Sequence, residues 1–219
     1  MFVTLEGIEG AGKTTQAALL AEALRARGVR VVVTREPGGT AFGAALRGML
    51  LDPAAGGIAP QAELFLYLAD RAQHVRDVIA PGLAAGACVV CDRFADATVA
   101  YQGYGRGLDA AFIAEASAVA AAGVAPDLTV LLDCEDVASG VKRAMHRQAA
   151  DGTAGVADRF EREELGFHRR VRDGYRALAA AAPGRFRVLP ATLPVAELQR
   201  RILAEVEALR GGGEGQGAR

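Results

Sequence analysis

Residues Gly7-Ile8-Glu9-Gly10-Ala11-Gly12-Lys13-Thr14 satisfy the spacing GxxxxGK(S/T) and follow directly on the apolar run Phe2-Val3-Thr4-Leu5-Glu6. Successive backbone N–H groups can wrap a polyphosphate only where side chains do not intrude, so glycine belongs where the chain closes on the anion. Gly7, Gly10 and Gly12 stand at such points, with Ala11 the only small side chain between them. Lys13 has the reach for β- and γ-phosphates, and Thr14 offers Mg²⁺ a hydroxyl. Thr15 continues into a helix whose N-terminus adds partial positive charge. A glycine-rich turn without a ligand is the plain alternative, but a full match between strand and helix points to a nucleoside triphosphate.

A hydroxyl alone holds a metal weakly, and in proteins with this loop an Asp closing a second apolar strand often holds the water shell of Mg²⁺. Val89-Val90-Cys91-Asp92 has that form, with Arg93 beside it. The chain contains no Asn, so no NKxD-type guanine reader is present. Asp133 also closes an apolar run, where it is either a further acidic group near the metal or a helix cap.

The elements that position these residues are legible as a rhythm. Apolar runs at 2–6, 29–34, 87–91, 128–133 and 186–189 alternate with amphipathic or Ala-rich stretches, which is a βαβ pattern. Their nearly continuous Val/Leu character predicts strands covered on both faces, hence a parallel sheet between helices. Ligands gather at the carboxyl ends of such strands. The loop from Gly7, the segment Thr34-Arg35-Glu36-Pro37-Gly38-Gly39-Thr40 and Asp92-Arg93-Phe94 all begin there. The expected architecture is α/β, a three-layer P-loop fold of one domain over residues 1–210. Residues 148–158 are small and polar and carry two glycines. This segment reads as the core of a mobile lid over about 147–159, flanked by Lys142, Arg143, His146, Arg147 and Arg159. The Gly-rich stretch 211–219 reads as a disordered tail.

Bulk composition removes other classes. With 219 residues, 25 Lys+Arg against 26 Asp+Glu and a formal charge of -1, nothing indicates a general polyanion such as nucleic acid or a membrane surface. No apolar run approaches the roughly 20 residues of a membrane span, and the chain enters a strand at once without a signal sequence, so a cytoplasmic location is expected. Cys88 and Cys91 form a CxxC, but inside a strand their thiols point to opposite faces and cannot pair.

Taken together, residues 7–15, Arg35-Glu36-Pro37-Gly38-Gly39-Thr40, Arg71 with Gln73, Asp92-Arg93-Phe94, Ala100-Tyr101-Gln102-Gly103 and Asp158-Arg159-Phe160-Glu161 closely resemble the bacterial thymidylate kinase family. The likeness spans residues 1 to about 205 in order and spacing. It implies transfer of the ATP γ-phosphoryl group to dTMP, with Mg²⁺, on a five-stranded parallel sheet in a homodimer. By resemblance Arg47 and Arg93 grip the dTMP phosphate and Glu9 accepts from the sugar 3′-hydroxyl. Tyr101 lies near the sugar 2′ position, and Thr98 and Gln102 face thymine. Tyr67 and Arg71 are four apart and share a helix face, which suits a ring stacked on thymine and a guanidinium at a base carbonyl. Tyr67 alone would read more readily as a core aromatic in Leu64-Phe65-Leu66-Tyr67-Leu68; Arg71 and the family likeness favour the stacking role.

Lys13, Arg93 and the lid cations Arg147 and Arg159 are the expected catalytic charges, because donor and acceptor are both polyanions. Family members carry a catalytic Arg either in the phosphate loop or in the lid; here Gly10 occupies the loop position, which assigns the task to the lid. Ala97 stands where the family commonly has a hydroxyl. Two other functions compete: a different nucleoside monophosphate or deoxynucleoside kinase, and an ATP-switched regulator, for which Arg47, Tyr67, Arg71 and Arg93 would lack a purpose.

Overall fold

The five apolar runs are strands β1 (Phe2–Glu6), β2 (Val31–Arg35), β3 (Cys88–Asp92), β4 (Leu128–Asp133) and β5 (Phe186–Pro190) in a computed structural model that describes residues 1–53, 57–150 and 159–214. All pairings are parallel, in the order β2-β3-β1-β4-β5. β2, β3 and β5 each end one residue beyond the expected apolar run. Pairing outlasts hydrophobicity there: Arg35 is still in register with Asp92, and Asp133 with Pro190.

Alternation along each strand feeds two cores. Val3, Leu5, Cys88, Val90, Val130 and Leu132 pack with Leu20 and Leu24 of α1 (Lys13–Arg25) and with Leu198, Ile202 and Val206 of α9 (Val195–Glu214). On the other face Phe2, Val89 and Cys91 meet Val75, Ile79 and Phe94, while Leu131 joins Phe167, Val171 and Tyr175. Both faces are covered, as the continuous apolar runs require. Cys88 and Cys91 fall in opposite cores and, like Cys134, are free and buried.

The remaining helices are α2 (Ala41–Leu51), α3 (Pro60–His74), α4 (Ala80–Ala84), α5 (Ala95–Thr98), α6 (Ala110–Ala120), α7 (Val137–Ala150) and α8 (Leu165–Ala181). Thr40 caps α2 by accepting from the Gly43 amide at 2.9 Å, and Pro60 opens α3 at a position where no amide is needed. Wider π-helical turns at Val75–Ile79 and Val99–Gly105 extend α3 and α5. The second of these carries Tyr101 and Gln102, at the kind of local defect often found in binding sites.

Two expected boundaries move. Helix α7 continues through Arg147 to Ala150, and α9 through Gly211 to Glu214, because an established helix adds residues more cheaply than it starts. The central lid residues 151–158, the Arg147 side chain and the tail 215–219 lie outside the described residues.

Candidate active site

The phosphate loop joins β1 to α1 as expected. Gly7, Gly10 and Gly12 take φ of 140°, 70° and 96°, and Gly12, in the left-handed region, precedes α1 without any side-chain cap. The first amides of α1 are therefore unclaimed by a capping side chain, the arrangement that suits an anion. Gly10 has a second constraint, since a Cβ there would lie 1.9 Å from the Gly140 carbonyl oxygen of α7. An arginine at this loop position is incompatible with that close approach of two backbones.

Lys13 donates to the carbonyls of Gly7 at 2.9 Å and Ile8 at 2.8 Å. Burial, with repulsion from Arg93 behind it, pulls its ammonium down to about 8 despite the nearby Asp92, Glu9 and Glu6. The Thr14 hydroxyl donates to Asp92 Oδ2 at 2.5 Å, so one oxygen from the first turn of α1 and one from the end of β3 come to one point. Arg143, expected only as a lid-flanking cation, donates to the Gly10 carbonyl at 3.2 Å.

Arg93 follows β3 with φ of 72°, a conformation that costs a non-glycine residue about 1 kcal/mol or more. Its amide donates to Leu5 O at 3.0 Å, and its guanidinium reaches Gly7 O at 3.0 Å, Glu9 Oε1 at 3.0 Å and the Tyr175 hydroxyl at 3.3 Å. The same Glu9 oxygen accepts from Tyr101 Oη at 2.6 Å. Burial alone would raise the Glu9 carboxyl, but Arg93, His168 and Lys13 overturn this and hold it far below the usual carboxylate range. Behind the pair, Glu6 accepts from the Phe94 amide and the Tyr175 hydroxyl, each at 2.7 Å. Burial and the neighbouring Asp96 push Glu6 up to about 8.

A second network holds the loop after β2. Glu36, 3% exposed, accepts from Arg71 Nε at 3.0 Å and Nη2 at 2.9 Å, and its other oxygen lies 2.9 Å from His74 Nδ1. Arg71 also donates to Thr98 at 2.9 Å and Ser117 at 3.3 Å. Four of its five N–H groups are thereby engaged, which leaves one for a ligand. His74 Nε2 lies 2.6 Å from Thr34 Oγ1, and a Cβ on Gly39 would sit 2.3 Å from that nitrogen. Glycine at 39 is thus a packing requirement of this network.

These segments enclose a cavity of about 450 Å³. Expected residues Glu9, Gly10, Lys13, Thr14, Thr15, Arg47, Tyr67, Arg71, Asp92, Arg93, Thr98, Tyr101 and Gln102 all line it. Tyr67 and Arg71 share one face of α3, as their spacing predicts, and Phe160 lies 6.4 Å from Tyr67 and 5.6 Å from Tyr101 between ring centroids. Arg159 is placed differently. It pairs with Glu63, donates to Leu50 O at 3.0 Å and is absent from the cavity lining. Asp133 is bound by Arg172 at 2.6 and 2.9 Å, and the capping contact of α7 comes from Asp136, which accepts from the Ser139 amide at 3.1 Å.

Sequence reasoning missed Glu36 and Phe160 as cavity residues, although both sat inside recognised motifs, and missed the supporting Glu6, Glu63, His168 and Tyr175. A charged residue buried by distant elements leaves no local spacing signal. Among the described residues no group of three or more His, Cys, Asp or Glu could hold a metal, and no helix is long and apolar enough to cross a membrane.

Comparison with known proteins gives the family. A family model described as thymidylate kinase matches residues 5–202. The chain is 61% identical over 191 residues to a thymidylate kinase of Solidesulfovibrio magneticus, covering 87% of this chain and 91% of that one. It is 52% identical over 216 residues to one from Desulfovibrio desulfuricans, covering 98% and 99%. The crystal structure of thymidylate kinase from Ehrlichia chaffeensis superposes with a TM-score of 0.74 at 33% identity, covering 94% of this chain and 98% of that one.

Proposed function

The chain belongs to the thymidylate kinase family, and from that premise we propose that its cavity holds ATP and dTMP end to end and transfers the γ-phosphoryl group to give ADP and dTDP. The observation that carries this reading is one cavity whose lining includes Lys13, Thr14 and Thr15 of the phosphate loop and α1, Tyr67 and Arg71 of α3, Gln102, and Arg93. The first group suits a polyphosphate, and Tyr67, Arg71 and Gln102 suit a flat base with a carbonyl.

In the reaction an oxygen of the dTMP phosphate attacks the γ-phosphorus, and the bond to the β-phosphate oxygen breaks, with ADP keeping the electron pair. A phosphate monoester has its second pKa near 6, so the attacking oxygen is already anionic and no general base is needed. Glu9 accordingly serves binding: a carboxylate held far below its usual range stays an acceptor, suited to the sugar 3′-hydroxyl. The amides of residues 7–15 cradle the donor phosphates, with Lys13 on the β- and γ-groups. Arg93 and Arg47 hold the acceptor phosphate; Arg47 is steadied by its bond to Pro37 O at 2.9 Å. Tyr101, fixed to Glu9, crowds the sugar 2′ position and favours deoxyribose. Thr98 and Gln102 shape the base end.

The paired oxygens of Thr14 and Asp92 are hard donors from few protein ligands, which suits Mg²⁺, an ion that takes its remaining ligands from phosphates and water. When bound there it would neutralise part of the negative charge on the donor phosphates during transfer. Arg147 and Arg159 remain the lid candidates, and Arg159 would have to leave Glu63 to reach the donor. Exposed Phe42, Met49, Phe65, Phe112 and Val119 on the adjoining helices α2, α3 and α6 support a homodimer through that face. Free cysteines suit a reducing compartment, and we assign the enzyme to the cytoplasm.

A coupled ADP-release assay over dTMP, dUMP, dCMP, GMP and thymidine tests the proposal. Highest kcat/KM with dTMP and none with thymidine is expected; equal rates with GMP would refute the pocket assignment.

A further inference from the structure

Three buried polar atoms near the cavity have no hydrogen-bond partner among the described residues: Glu9 Oε2 and both ring nitrogens of His168. Two of them face each other. His168 Nδ1, on α8, lies 3.2 Å from Glu9 Oε2, at ion-pair distance but without the alignment of a hydrogen bond. The histidine is fully buried, with its ring edge-on to Phe167 at 5.5 Å between centroids. Glu9 Oε1, by contrast, is engaged by Arg93 and Tyr101, both of which line the cavity. The carboxylate therefore has one oxygen on the cavity side and one turned into the protein.

Leaving an acceptor and a donor buried and unpaired is costly, and a small rotation of ring or carboxylate pairs Glu9 Oε2 with His168 Nδ1. A carboxylate fixed by one oxygen can still swing; fixed by both, it presents its cavity-side oxygen in one direction. We propose that His168 is a positioning residue: its Nδ1–H holds Glu9 Oε2 from behind and thereby aims Oε1 at the sugar hydroxyl of the acceptor nucleotide. This inference rests on the assignment of Glu9 to the 3′-hydroxyl made above.

The test compares His168→Asn, whose amide nitrogen falls near the Nδ1 position, with His168→Gln, whose amide falls near Nε2, and with the space-filling His168→Phe. Each is assayed with dTMP and with 3′-deoxy-dTMP, and thermal melting reports folding. His168→Phe and His168→Gln are expected to lose about tenfold in kcat/KM for dTMP, the scale of a hydrogen bond to a charged group. The loss should be under about twofold for 3′-deoxy-dTMP, and His168→Asn should stay close to the parent on both. A merely space-filling histidine would make Phe the best-tolerated change and would affect both nucleotides alike, which overturns the proposal. Should His168→Phe not fold, the Asn and Gln variants decide the matter, since equal activity in those two contradicts an Nδ1 donor. If the unaltered enzyme does not distinguish the two nucleotides, the Glu9 assignment itself fails, and this result is separable from the others because it appears before any substitution is made.

Discussion

Around the phosphate loop the groups that face the donor phosphates are chain neighbours: Lys13 bonds to carbonyls five and six residues away and the α1 amides belong to consecutive residues, with Thr14–Asp92 and Arg143–Gly10 as long-range ties. Across the cavity nothing is local. Arg71 meets Glu36 over 35 residues, Arg93 meets Glu9 over 84, and Tyr175 meets Glu6 over 169. The donor end is thus a backbone surface that tolerates side-chain loss but not an added Cβ, whereas the acceptor end is a connected set of buried charges in which each member needs its partner. Substitutions at the two ends should therefore separate chemistry from stability.

The largest effect is expected at the donor end. Lys13→Met should lower kcat by about 10³-fold, in line with loss of a charge aimed at the transferring group. Its folding should not suffer: the Gly7 carbonyl keeps Arg93 and the Ile8 carbonyl keeps the Ala11 amide. Below pH 8 the buried ammonium is itself a cost, because its folded value lies under the ordinary 10.5. A melting temperature at pH 7 equal to or above the parent's is predicted, and a marked drop would show that Lys13 is part of the scaffold.

The acceptor end should respond in the opposite sense. Glu36→Ala strands the Arg71 guanidinium, 1% exposed, without its main counter-charge and should cost about 3–5 kcal/mol in urea unfolding. A loss under about 1 kcal/mol would mean that the network holds without its central carboxylate.

Glu6 gives a finer comparison by pH. Its folded value of about 8 lies above the ordinary 4.5, so the folded state binds the extra proton. The stability this confers is full below pH 4.5 and is lost as pH rises to 8. Glu6→Gln can keep both hydrogen bonds, accepting from Phe94 and donating to Tyr175. The parent should therefore lose about 10 °C more in melting temperature than Glu6→Gln between pH 5 and 8, and parallel curves would place the proton elsewhere.

The smallest effect is expected at the lid. Arg159→Ala removes a partner of Glu63, which retains Arg106 and Gln102, and should change kcat by less than about threefold. Arg147→Ala is expected to lower kcat more, and normal turnover in both variants would remove the lid arginines from the mechanism.

The same contrast explains what the amino-acid order made legible. The loop from Gly7 to Thr15 and the alternating strands are encoded in neighbours, so the sheet, the loop and the convergence of Asp92 and Arg93 on one edge were readable directly. Tyr67 and Arg71 were readable through helical spacing. The ties of Arg71 to Glu36, Thr98 and Ser117 were not readable, because those partners come from the loop after β2, from α5 and from α6 and share no motif with it. His168 and Tyr175 gave no signal beyond an amphipathic helix, since their targets lie in the first nine residues. The pairing of the lid candidate Arg159 with Glu63 was not readable, because that counter-charge lies 96 residues earlier.

The central claim is that one cavity binds both nucleotides end to end. Calorimetry with a dinucleotide that joins adenosine to thymidine through an oligophosphate tests it directly. The account predicts one molecule bound per chain, with both ATP and dTMP excluded in competition. Exclusion of ATP alone, with dTMP still binding at undiminished affinity, would contradict it.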